Sequence, residues 1–168
     1  MENSSSHHII VAVSGGFDPL HIGHVRLFQE AKALGDELVV ILNNDNWLRK
    51  KKGYTFMKEE ERKEIIEALA TVDRVVLTKH PTNPEDMSVC QELREIRPNI
   101  FANGVDRKQD NTPEMAVCEE IHCGLAFNVG RGGKIQSSSW LVRDSLVMLP
   151  CPCQSGKRYG ECHGKSPQ

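Results

Sequence analysis

Residues Gly15–His24 read GGFDPLHIGH and follow the apolar run Ile9–Val13. A buried strand feeding a glycine turn that opens a helix makes an anion site, because backbone N–H groups and the positive end of the helix converge there. Gly15 and Gly16 permit a turn that a Cβ would block. His21 and His24, three residues apart at the helix start, add two mobile donors to a phosphate. Phosphoryl-type transfer asks little covalent chemistry of a protein; positioning and charge stabilisation dominate.

Two further segments offer donors to the same kind of ligand, and a third offers metal ligands. Arg49–Lys52 is a run of four cations after a strand end, read here as a basic loop. Taken alone it is a solvated surface, but a mobile ammonium also suits a departing pyrophosphate. Ser137, Ser138 and Ser139 follow a glycine-rich stretch and precede an apolar helix. Such serines serve as helix caps or as an anion nest with hydroxyl donors. At the end of the chain, Cys151, Cys153, Cys162 and His163 form C-x-C and C-H pairs around a short loop, the ligand count of a closed tetrahedral zinc site. Iron–sulfur binding and redox thiols are the alternatives. The clustering points to metal in a reducing compartment rather than to a disulfide scaffold.

These residues need elements to hold them. Apolar runs of strand length recur at His8–Val13, Leu38–Leu42, Arg74–Leu77, Ile100–Ala102 and Leu125–Val129. Helical patterns lie between them. Val25–Leu34 carries one apolar stripe and stops at Gly35, a suitable C′ residue. Lys58–Ala70 is charged and then apolar. Asn83-Pro84-Glu85-Asp86 reads as a helix start running to about Arg97, and Thr112-Pro113-Glu114 as another. Trp140–Val147 is the last. The alternation predicts an α/β fold: a doubly wound, five-stranded parallel sheet with helices on both faces, plus a small C-terminal zinc knuckle. In such sheets ligands bind beyond the carboxyl ends of the strands. The polar segments 14–24, 43–57, 103–111 and 130–139 each follow a strand and should converge on one rim.

The chain of 168 residues favours one domain with an appendage, and a formal charge of −2 gives no general argument for nucleic acid or anionic membrane. We divide it into a lead-in (1–7), a main domain (8–149) and a tail (150–168). No transmembrane run and no secretory pattern are read, so a cytoplasmic chain is expected.

GGFDPLHIGH resembles the HxGH signature of the nucleotidylyltransferase superfamily that includes the cytidylyltransferases; the similarity covers roughly residues 8–147. The resemblance implies transfer of a nucleotidyl group from a nucleoside triphosphate, with Mg²⁺, to a phosphorylated acceptor, releasing pyrophosphate. His21 and His24 match the histidines that contact triphosphate oxygens. Gly16, Phe17, Asp106, Arg107, Ser137, Ser138 and Ser139 match nucleotide-binding positions, with Val105 standing where a second glycine is common. Asp18, Asn44, Asp45 and Arg62 fall at acceptor-side positions; for Arg62 the plain alternative is a charged solvent face of its helix. Lys52 is the first choice for the lysine that reaches phosphate and Lys50 the second.

Within the superfamily the chain looks closest to the heptose 1-phosphate adenylyltransferase and glycerol 3-phosphate cytidylyltransferase branches. This implies ATP or CTP as donor, a phosphorylated sugar or polyol as acceptor, and a homodimer. Class I aminoacyl-tRNA synthetases share the H-I-G-H tetrapeptide, but the length and the lack of a K-M-S-K-S-like loop disfavour them. Residues 151–164 resemble the SEC-C zinc motif, which implies either a metal staple or docking to a protein or nucleic-acid partner. The non-enzymatic alternative is a nucleotide-binding module docked through that tail.

Overall fold

A computed structural model describes residues 8–104, 112–130 and 136–162. Five strands, β1 (Ile10–Gly15), β2 (Glu37–Leu42), β3 (Arg74–Leu77), β4 (Ile100–Gly104) and β5 (Gly124–Val129), form one parallel sheet in the order β3-β2-β1-β4-β5. The chain builds outward from β1 to β2 and β3, then crosses to the other side of β1 for β4 and β5. The switch point therefore lies between β1 and β4, where a doubly wound sheet opens a ligand crevice.

Strand periodicity explains why helices cover both faces. Val11, Val13, Leu38, Val40 and Leu42 point to one side and pack with Phe28 and Ala31 of α1 (Ile22–Lys32) and Ile66 of α3 (Glu59–Glu67). Ala12, Ile41 and Phe101 point to the other and meet Cys90 and Leu93 of α4 (Cys90–Ile96) and Val117 and Cys118 of α5 (Pro113–Glu120). Strands apolar on both faces read as continuous apolar runs, which is what the sequence shows. The last helix, α6 (Ser138–Met148), precedes the cysteine tail.

Three local expectations need correction. The basic segment is not a loop: Asp45–Lys52 is a helix, α2. The Asn44 side chain accepts from Trp47 N at 3.0 Å, Asp45 sits in the first turn, four cations sit in the last, and Gly53 ends the helix with φ 82°. Each is a standard helix signal, and a run of like charges in the last turn is compatible with helix because it complements the helix dipole. Asn83–Asp86 does not start a helix; α4 begins only at Cys90. The Asp86 carboxylate instead accepts from Ser88 N at 2.8 Å, a local turn that competes with helix. Gly35 is not the helix C′ residue, since the C-cap of α1 is Ala33. It is glycine because a Cβ there would lie 2.6 Å from the Ile9 carbonyl oxygen.

Candidate active site at the carboxyl rim

His21 is the N-cap of α1, and the two histidines cap the helix reciprocally. The His21 Nδ1 accepts from Gly23 N at 3.1 Å, and the His24 Nδ1 accepts from His21 N at 3.3 Å. An imidazole whose Nδ1 accepts must carry its proton on Nε2. The cap thus fixes the same tautomer in both rings. Among the described residues neither Nε2 has a hydrogen-bond partner, so each is left as a donor. The rings stack with centroids 3.7 Å apart, and the edge of buried Phe17 abuts His24 at 4.9 Å. Burial, then the neighbouring His21, then Lys52, push His24 down to about 3. Burial and Lys52 lower His21 as well. Both are neutral donors at physiological pH until an anion arrives.

α2 resolves the run of cations. Residues 50 and 52 lie about 200° apart around a helix. The Lys52 Nζ donates to the Asp18 carbonyl at 2.7 Å beside the histidines, whereas Lys50 turns away and donates to the Asn83 Oδ1 at 2.7 Å. Burial lowers Lys52 itself, which keeps its ammonium responsive to a new anionic partner.

Asp18, Asn44, Asp45 and Arg62 are all bonded into the surroundings of the site, with the second Asp45 oxygen the most open, 3.6 Å from the exposed Arg49. The Asp18 side chain is fully buried, and its two oxygens accept from Phe56 N and Met57 N at 2.8 and 2.7 Å. Arg62, far from lying on a solvent face, is 0% exposed. It donates to the carbonyls of Met57, Gly16 and Asn43 and to the Asp45 carboxylate at 2.7 Å. One guanidinium thereby ties the glycine turn, the end of β2, the first residue of α2 and the segment before α3. The Asn44 amide is spent on Trp47 N and the His80 carbonyl.

On the other wall, Ser137 is the N-cap position of α6 and makes no side-chain cap bond. Ser138 is buried and donates to the Pro19 carbonyl at 2.9 Å, which joins α6 to the histidine loop; Ser139 is exposed. Asp106, Arg107 and His163 lie outside the described residues.

Gly16 faces the start of α2 closely, since a Cβ would come 2.7 Å from Leu48 and 3.4 Å from the Trp47 ring. Trp47 continues into a cavity of about 550 Å³ on the α4–α5 face, walled by Met87, Phe101, Asn103, Leu125 and Phe127. These residues received no role from the sequence. The signal was there: 101 and 103 of β4, and 125 and 127 of β5, alternate onto one face of adjacent strands. The Trp47 indole N–H is already bonded to the Met87 carbonyl at 2.8 Å, so its ring offers an apolar face.

In the tail, the sulfurs of Cys151, Cys153 and Cys162 all lie within 4.8 Å of one another, with Cys153 3.3 Å from Cys151 and 3.6 Å from Cys162. Thiolates around one tetrahedral zinc are about 3.7 Å apart. The donor set fits such an ion. Among the described residues no other group of three or more His, Cys or carboxylate ligands occurs, and no helix is long and apolar enough to cross a membrane.

Residues 12–123 match the cytidylyltransferase-like family, and residues 149–165 match the SEC-C motif. A FAD synthase of Aciduliprofundum boonei is 39% identical over 110 residues, covering 66% of this chain and 70% of that protein. A FAD synthase of Thermoplasma volcanium is 30% identical over 155 residues, 90% of this chain and 99% of that protein. The crystal structure of the lipopolysaccharide core biosynthesis protein from Thermoplasma volcanium superposes with a TM-score of 0.60 at 30% identity, covering 71% of this chain and 93% of that one.

Proposed function

The chain belongs to the cytidylyltransferase-like family and is a nucleotidyltransferase; from that premise we propose that it transfers the adenylyl group of ATP to a phosphate monoester, flavin mononucleotide first among acceptors. The acceptor phosphate oxygen forms a bond to the α-phosphorus in line, and the bond from that phosphorus to the bridging oxygen of pyrophosphate breaks. The two Nε2–H groups and the Lys52 ammonium stabilise the charge that grows on transferred and departing oxygens, with the amino end of α6, anchored by Ser138 on Pro19, at the triphosphate. Mg²⁺ would come with the triphosphate and neutralise its charge. Zinc would be held by Cys151, Cys153, Cys162 and His163 in a structural role.

The observation that carries the acceptor is the cavity beside Gly16. Trp47, Met87, Leu125 and Phe127 give the cavity an apolar side that suits a flat ring, while Lys51, Asp86, Ser88, Asn103 and Glu114 line it with groups that suit hydroxyls. Flavin mononucleotide joins such a ring to a ribityl phosphate, and so differs from the sugar 1-phosphate or glycerol 3-phosphate acceptor expected from sequence. The relatives bearing the name FAD synthase support the same reading. The likeness to a lipopolysaccharide core biosynthesis protein supports a sugar phosphate as the second reading.

The test is a matrix of ATP and CTP against flavin mononucleotide, sugar 1-phosphates and glycerol 3-phosphate, followed by pyrophosphate release. Release with ATP and flavin mononucleotide, with FAD formed, is the expected result. Release with a sugar 1-phosphate alone replaces the acceptor. Tight nucleotide binding with no release for any pair points to the docked, non-catalytic module.

A further inference from the structure

Helix α6 is rich in large apolar residues, yet Ser138 is its one buried position. Trp140 is 43% exposed, Leu146 50% and Met148 58%. A helix of 11 residues with so little buried face is marginal by itself. It is held at its two ends. At the amino end Ser138 bonds to Pro19. At the carboxyl end the cysteine tail folds back on it. The Tyr159 N–H donates to the Leu149 carbonyl at 2.7 Å, the Arg158 guanidinium reaches the Met148 sulfur at 3.5 Å, and Gly160 lies so close that a Cβ would come 2.9 Å from the Cβ of Val147. The turn that carries Tyr159 and Gly160 is enclosed between Cys153 and Cys162, so metal binding fixes its shape.

We propose that the metal-bound tail is a brace for α6, and that through α6 it holds Ser138 against the histidine loop where the triphosphate binds. Tyr159 and Gly160 are positioning residues, acting on the nucleotide through the helix and not on the acceptor. The role of Ser138 rests on the nucleotide site proposed above; the brace itself does not.

Full-length protein is compared as wild type, as Gly160→Leu, which wedges the tail from Val147 and leaves all three cysteines in place, and as wild type stripped of metal by a chelator. Amide hydrogen exchange is followed across 138–148, and ATP and flavin mononucleotide affinities are measured by calorimetry. The expected result is faster exchange along α6 with ATP binding roughly tenfold weaker, the scale of one lost hydrogen bond to a charged group, and flavin mononucleotide binding unchanged. Ser138→Ala, which cuts the amino-end tether to Pro19 and leaves the tail in place, should weaken ATP binding similarly while exchange stays slow at 146–148. Unchanged exchange in both perturbed proteins overturns the brace. Faster exchange with unchanged ATP affinity overturns the link to Ser138. Should Gly160→Leu fail to fold, the stripped wild type carries the test. The exchange measurement needs no substrate, so an incorrect acceptor leaves it intact.

Discussion

Two imidazoles stacked 3.7 Å apart with a lysine nearby resist protonation, and that resistance shapes both catalysis and stability. Removing a preorganised donor from the charge that develops in the transition state costs on the order of 10²–10³ in rate. His24→Ala should therefore lose pyrophosphate release by about that factor while circular dichroism keeps the native helix signal; full turnover would remove the histidines from the mechanism. The same group sets an acid limit. An unfolded His24 takes its proton as pH falls through about 6.5. The folded one resists until about 3. Between these values the unfolded state binds more protons, so stability falls as pH falls through that window. Urea titrations at pH 7, 5 and 4 should show the decline in wild type and a shallower one in His24→Asn. Arg62 makes the opposite case, a buried charge that is fully partnered. Arg62→Met leaves one Asp45 oxygen and three carbonyls without the Arg62 donors and should cost about 3–5 kcal/mol in urea unfolding.

A helix spaces its side chains by rotation, and α2 shows what that does to a run of like residues. Four consecutive cations look equivalent in a line of text. Wound into a helix they leave in different directions, and Lys52 alone donates to the Asp18 carbonyl beside the histidines. Lys52→Ala should cut pyrophosphate release by about 10²-fold, as loss of one transition-state contact does, whereas Lys50→Ala should stay near wild type. Comparable losses in both variants would mean that α2 turns during the reaction. The elements themselves were largely legible: five strands and most helices appear where apolar period and caps put them. The exceptions have local causes. The 83–89 segment carries proline and acids suited to a helix start, but the Asp86 side chain captures the Ser88 amide first. Gly35 is explained by a neighbouring strand 26 residues away in sequence (Ile9), which no local pattern reports.

For the whole molecule, the switch point at β1 decides where everything meets. It brings the glycine turn after β1, α2 after β2 and the start of α6 after β5 to one rim, although they are spread from residue 15 to residue 139. The cysteine tail packs on the end of α6 and carries donors that fit zinc. Elemental analysis should find zinc in the full chain and its loss in Cys153→Ser, since a structural site tolerates no missing thiolate. Zinc retained in that variant would exclude Cys153 as a ligand.

The sequence by itself determined the parallel α/β class, the glycine turn, the histidine pair and the cysteine cluster, because each is written in local periodicity or in neighbours within a few residues. Tertiary structure alone decided which lysine stands at the histidines, because helix rotation governs it. It buried Arg62 and Asp18, because their partners come from the turns after β1 and β2 and from the segment before α3. It also drew Trp47, Phe101 and Phe127 into one cavity, since only the sheet brings strand ends so far apart in sequence to one place.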